Sequence, residues 1–232
     1  MFFYDSTYIL ALIGAILCMI ASHHVNSVYR KYDRVFNASG ITGAMAAEQI
    51  LRSQGVNDVQ IIRVSGHLTD HYNPSKQTVA LSESTYDSGS IAAIAVAAHE
   101  CGHVMQHEQG YSPLDIRTAL VPVANFGSQL CWPLVIVGLL FNSKISEYLI
   151  VTGILMFCFA LLFQIVTLPV EFDASNRAMK ILEGNGMVGG DDAKMARKVL
   201  TAAALTYVAA VASSFLNLLR LLLIAKGARN DD

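Results

Sequence analysis

Charge is scarce in this sequence. Asp, Glu, Lys and Arg make up 15% of its 232 residues, against about 25% in an ordinary soluble domain, and the mean hydropathy is +0.44. That balance argues against a chain dissolved in water over its whole length. The basic charge, 16 Lys and Arg against 18 acidic residues, is neither in excess nor interleaved with aromatics, so no nucleic-acid partner is expected. Cysteine is rare as well. Cys18, Cys101, Cys131 and Cys158 form no CxxC pair, which leaves no thiolate metal site or redox couple, and no disulfides are expected. The N-terminus lacks the marks of a cleavable signal peptide: Asp5 stands where basic residues belong, and no small-residue cleavage pattern follows. Repeats, low-complexity tracts and long linkers are missing too.

Long apolar runs are what the sequence has instead. Residues 6–29, 118–143, 148–170 and 199–219 contain no Asp, Glu, Lys or Arg. Each reaches the roughly 20 residues that a helix, rising about 1.5 Å per residue, needs to cross a hydrocarbon core about 30 Å thick. Four such runs predict an integral membrane protein. The run 148–170 is the cleanest; 199–219 meets Arg220 at its end. The hydrocarbon part of the first run is about residues 8–22, because IASHHVNSVY follows. The run 118–143 carries Pro122, Pro133, Asn125 and Gln129, which predicts a kinked helix with its amides turned toward protein. No span holds an ionisable acidic or basic residue at its centre, which argues against a transporter. With four spans, residues 30–117 and 171–198 share one side of the bilayer. That side holds twelve of the 16 Lys and Arg, with Arg30, Lys31, Arg117, Arg197 and Lys198 close to span ends. The positive-inside bias turns it toward the cytoplasm, with Lys226 and Arg229 weighing mildly the other way.

The polar stretch after the first run reads as helix, strands, then helix. Ser39 or Thr42 caps a helix bearing Ala46, Ala47, Ile50 and Leu51, which Gly55 closes. Residues 59–64 and 77–82 read as strands, with Asn73-Pro74-Ser75-Lys76 as a turn before the second. Ser88 or Ser90 then opens the helix IAAIAVAAHECGHVMQHEQG, which Gly110 ends.

This last helix carries HECGH, residues 99–103. Positions four apart project from one face a turn apart, so His99 and His103 can offer two imidazoles to one metal ion. Glu100 lies next to His99 around the helix, within reach of a water at the metal without occupying the metal itself. Zinc accepts neutral imidazole nitrogens at about 2.0–2.1 Å and keeps one position open in catalytic sites. It lowers the pKa of a bound water toward about 7, so that Glu100 can take the proton and return it to a leaving amine. One catalytic Zn2+ and peptide-bond hydrolysis are expected. Gly102 costs about 1 kcal/mol relative to Ala in a helix; space around the metal would explain its presence, and Ala97 and Ala98 are small enough for other backbone to approach.

A catalytic zinc usually takes three protein ligands. His107 shares the face, but eight residues from His99 is about 12 Å of helix, so it is expected as a structural or substrate-side group. A better third ligand lies in LPVEFDASNRAMKILEGNG, residues 168–186. Pro169 suits the start of a helix leaving the membrane, with Glu171 in its first turns. Asp173 is the rival, but it points about 200° around the helix from Glu171, so only one of the two can face the histidines. Ser175 and Ala178 share the side of Glu171.

On these residues the sequence resembles the YugP-type membrane zinc metallopeptidase family. The resemblance runs through GHLTDHYNPSKQTVALSESTYDSGSIAAIAVAAHECGHVMQH, residues 66–107, and LPVEFDASNRA, residues 168–178. More distantly, the chain is similar to zinc peptidases that process prenylated proteins or survey membrane proteins. The resemblance implies that His99 and His103 are metal ligands, Glu100 the base and Glu171 the third ligand. Ser175 stands where the wider group has an Asp supporting a zinc histidine; it can still hydrogen-bond a ligand imidazole, and Asp173 is a candidate to compensate. The resemblance further implies that the strand at 77–82, with Thr78, Val79, Ala80 and Leu81, borders the cleft and pairs with an extended substrate. His67 and His71 fall on one face if their stretch is straight, as structural, substrate-side or second-ion groups.

The expected fold is therefore an α-helical integral membrane protein with about four transmembrane helices and a small α+β, zincin-like catalytic region. Expected segments are a first transmembrane helix at 1–28, a catalytic region at 29–117, a transmembrane hairpin at 118–169, a helix supplying the third ligand at 170–198, and a fourth transmembrane helix with a tail at 199–232. The expected function is a zinc-dependent endopeptidase in a bacterial cell membrane, its catalytic region facing the cytoplasm and its substrates membrane-associated or cytoplasmic-side proteins. The alternatives are a non-catalytic metal-binding scaffold or chaperone, against which Glu100 speaks, and a zinc hydrolase of a non-peptide substrate.

Overall fold

The computed structural model describes residues 6–141 and 144–230, with the side chains of 144 and 228–230 left aside. Asp5 and the end of the second apolar run at 142–143 lie outside the described residues. Ten elements follow in order: α1 Tyr8–Tyr32, α2 Gly43–Ser53, β1 Gln60–Val64, β2 His71–Asn73, β3 Thr78–Ser82, α3 Glu83–Tyr86, α4 Ile91–Glu108, α5 Ser112–Leu140, α6 Lys144–Gly184 and α7 Gly190–Asn230. The protein is a helical membrane protein with a small α+β region: α1, α5, α6 and α7 are each long and apolar enough to cross a bilayer.

The chain divides into two compact units, with boundaries inside α1, α5, α6 and α7. One comprises Met1–Ser22, Asp115–Leu168 and Thr206–Asp232. Its large apolar side chains, such as Leu12, Phe126, Ile136, Leu155 and Phe215, point outward, the arrangement lipid requires. Inside it, small residues bring backbones together: a Cβ on Gly127 would stand 2.6 Å from Met156 O, and one on Gly153 would stand 3.0 Å from Cys131 O. Asn125 and Gln129 do not face protein as expected. The inward stripe of α5 is Ala124, Gly127, Cys131 and Val135, and the two amides fall on the opposite, exposed side. Arg220 is buried in this unit, with its guanidinium over the rings of Tyr8 (4.1 Å) and Trp132 (5.7 Å). The stacking gives a cation within an apolar bundle an electrostatic partner.

The other unit, His23–Leu114 and Pro169–Leu205, holds the polar stretch and the HECGH helix. Thr42 caps α2, its hydroxyl accepting from Met45 N at 3.3 Å, and Gly55 closes it with φ +77°. Ser90 caps α4: its Oγ accepts from Ala93 N at 3.1 Å and donates to Asp33 Oδ1 at 3.0 Å. Gly110, at φ +60°, ends that helix. α4 is a core helix, packed against α2, with Ala46, Ala47 and Ile50 on one side and Ile91, Ile94, Ala98 and Val104 on the other.

The three strands are ordered β1-β3-β2, with β1 parallel to β3 and β2 antiparallel to it. This corrects the expected role of 77–82. β3 is the central strand: Thr78, Val79 and Ala80 pair with β1 on one side and β2 on the other, Leu81 pairs with β1, and all are buried. Thr78, Val79 and Ala80, paired on both edges, leave none for a peptide. Pro169 also departs from expectation, because α6 runs unbroken through it. Proline removes the backbone donor that would meet Ile165 O, and such a gap is tolerated within an apolar helix.

Candidate metal centre

His99 and His103 stand one turn apart on α4, with ring centroids 4.8 Å apart and planes at 83°. Glu171, only 3% exposed, enters from α6. Its Oε2 lies 3.2 Å from His99 Nε2 and 3.7 Å from His103 Nε2. The three ligand atoms all lie within 4.8 Å of one another. Ligand atoms around a tetrahedral zinc at about 2.0–2.1 Å stand about 3.3 Å apart, so two nitrogens and a carboxylate oxygen at this spacing fit one such ion after small side-chain adjustment. Burial disfavours the charged form of His103, but the neighbouring carboxylates of Glu171 and Glu100 outweigh it and raise its pKa above the ordinary value. The cluster attracts positive charge even before a metal is considered.

What brings the helices so close is Gly102. A Cβ there would meet Ala174 O at 2.4 Å, so the backbone of α6 occupies the space that a side chain would take. The glycine expected to leave room for a metal instead lets the helix bearing Glu171 approach the histidines. Ala174 and Ala178, both fully buried, continue the contact.

Glu100 is 8% exposed, one residue from His99. Ser175 Oγ lies 3.1 Å from His99 Nδ1. Asp173 touches neither histidine; its Oδ2 accepts from Gln106 Nε2 at 2.9 Å and from Arg177 Nε. His107 lies outside the cluster, half exposed, with Nδ1 3.3 Å from Tyr72 OH. His67 sets its ring edge-on to Tyr29 at 5.2 Å, and His71 Nδ1 lies 2.9 Å from Thr69 O. These two are not on one straight strand, since positive φ at Gly66 (112°) and Leu68 (56°) turns the chain before β2. Cys101 is fully buried, and burial followed by the charge of Glu100 pushes its thiol far up, so it is neither ligand nor nucleophile.

Sequence reasoning passed over Gln106. It is fully buried, and its Oε1 lies 2.9 Å from His103 Nδ1. The available signal was its place three residues after a candidate ligand on the same helix face.

A family described as "Putative neutral zinc metallopeptidase" matches residues 7–226. The chain belongs to this family. It is also 43% identical over 212 residues to the "Putative membrane protease YugP" of Bacillus subtilis (strain 168), covering 91% of this chain and 93% of that protein. No solved structure matches the chain. The family label fits the donor set on α4 and α6, where two imidazoles and one carboxylate leave room for the further ligand that a catalytic zinc needs.

Proposed function

We propose that this protein is a membrane-bound endopeptidase that hydrolyses peptide bonds of membrane-associated or cytoplasmic-side proteins, with His99, His103 and Glu171 holding zinc and Glu100 as the general base. The observation that carries this reading is the convergence of Glu171 from α6 on both histidines of α4. Zinc held there would supply Lewis-acid charge beside the scissile carbonyl and make water nucleophilic at neutral pH. The chain's own contribution is the proton path: the Glu100 carboxylate takes a proton from the attacking water and hands it to the departing amine. An extended substrate needs an outer strand, and β2 is the outer strand packed against α4. Main-chain pairing there would hold peptides with little regard to their sequence.

Purified protein should cleave a defined membrane-protein substrate, lose that cleavage with a zinc chelator and recover it when zinc is restored. Cleavage indifferent to chelation would sink the zinc reading, while chelator-sensitive hydrolysis of a non-peptide ester alone would redirect it to another bond.

The division of basic residues across the spans supports a catalytic region that faces the cytoplasm, in a bacterial cell membrane. Asn57 is exposed in the loop before β1. In Asn57→Cys protein, an impermeant thiol reagent should label this position only after the cells are permeabilised. Labelling in intact cells would reverse the orientation.

A further inference from the structure

His99 and His103 are supported on their second ring nitrogens by different chemistry. The Ser175 hydroxyl beside His99 Nδ1 can donate or accept, so either ring tautomer satisfies it. Gln106 has no such freedom. Its Nε2 donates to Val170 O at 2.7 Å and to Asp173 Oδ2 at 2.9 Å. A carbonyl and a carboxylate cannot donate, so the amide cannot be turned over: nitrogen faces α6 and oxygen faces His103. That oxygen, 2.9 Å from His103 Nδ1, can only accept. A neutral His103 therefore carries its proton on Nδ1 and presents the Nε2 lone pair toward Glu171, 3.7 Å away. Of the two neutral tautomers, Gln106 selects the one that a metal needs.

The amide itself is anchored. Asp173 also accepts from Arg177, whose guanidinium donates to Gln109 Oε1 and lies 5.4 Å over the ring of Tyr111. Gln106 is fully buried, so water is not at hand to replace a lost contact. We propose that Gln106 is the positioning residue of His103, an amide relay through which Asp173 on α6 acts on a ligand it does not touch. The inference rests on the zinc reading of the site. It also assigns the charged support missing at Ser175: the carboxylate lies at Asp173 and reaches the other histidine through an intervening amide. Partners of this kind fix ring orientation and raise the basicity of the ligand.

The test uses the full-length protein in detergent, with zinc affinity measured by competition against a chelating dye and 15N-histidine spectra recorded on metal-free protein. Gln106→Ala should weaken zinc binding by about 10- to 100-fold, and its His103 signal should change from the Nδ1–H form to a mixture of tautomers. Asp173→Asn, which keeps the shape of a half-buried position, should weaken zinc by a smaller factor. The double variant should bind no more weakly than Gln106→Ala alone, because Asp173 reaches His103 only through Gln106. Ser175→Ala should leave the His103 signal unchanged. Should Gln106→Ala fail to fold, loss of affinity in Asp173→Asn with altered His103 signals supports the relay, and unaltered affinity overturns it. Additive losses, or an unmoved His103 tautomer in Gln106→Ala, would overturn the relay while the zinc reading stands. Failure of the unmodified protein to bind zinc would overturn both.

Discussion

Glu100→Gln is expected to keep its zinc and lose peptide hydrolysis by about 10²–10⁴-fold, the usual range for a positioned general base. None of the three clustered ligand atoms belongs to Glu100, so the substitution removes no metal bond. The amide nearly preserves the volume of the carboxylate, and what disappears is the capacity to take and return a proton. Metal content and turnover, measured on the same detergent-purified sample, separate the two effects. Near-normal turnover in metal-replete Glu100→Gln would remove this residue from the proton path. Loss of zinc would instead mean that Glu100 touches the ion.

The second large effect is expected at Glu171. Glu171→Ala should lower zinc occupancy and abolish hydrolysis, weakening zinc by more than the roughly 10- to 100-fold that loss of a supporting partner costs. Among the described residues it alone carries a carboxylate oxygen to both histidines, at 3.2 and 3.7 Å. His107→Ala should leave occupancy nearly intact even if turnover changes, because that ring is half exposed and lies against Tyr72 rather than in the cluster. Asp173→Ala should weaken affinity through Gln106 but still load at saturating zinc, since no ligand is removed. Metal analysis on variants that share the wild-type elution profile checks all three. Retained zinc in Glu171→Ala together with its loss in His107→Ala or Asp173→Ala would overturn this ligand set.

Much of this could be read without coordinates, for reasons that lie along the chain. Crossing a bilayer demands length and apolarity from consecutive residues, so the four spans were legible as charge-free runs. Helical geometry puts residues four apart on one face, so the pairing of His99 with His103 followed from spacing alone. Caps are local as well, and Ser90, Thr42, Gly55 and Gly110 each act within one turn of where they stand. Even Glu171 was accessible, because a carboxylate just past a span, on the same side of the bilayer as the histidines, has few other places to be.

Tertiary structure decided everything that depends on which surfaces meet. The short apolar run of β3 identifies a strand but not its neighbours; only pairing with β1 and β2 makes it central and leaves residues 78–80 no free edge. The sequence showed that Gly102 is small, and the α6 backbone at Ala174 O showed what the smallness admits. Pro169 marks a missing donor, yet whether a helix ends there depends on how the surroundings absorb the gap, and α6 continues. Asn125 and Gln129 were polar residues in an apolar run, and the packing stripe of α5 determined that they face outward. Gln106 is the clearest case. Its amide orientation, and through it the tautomer of His103, is set by two acceptors on α6 more than 60 residues along the chain, at |i−j| of 64 and 67. Periodicity within one helix carries no information about hydrogen-bond acceptors on another, so this part of the site exists only once α4 and α6 are packed together.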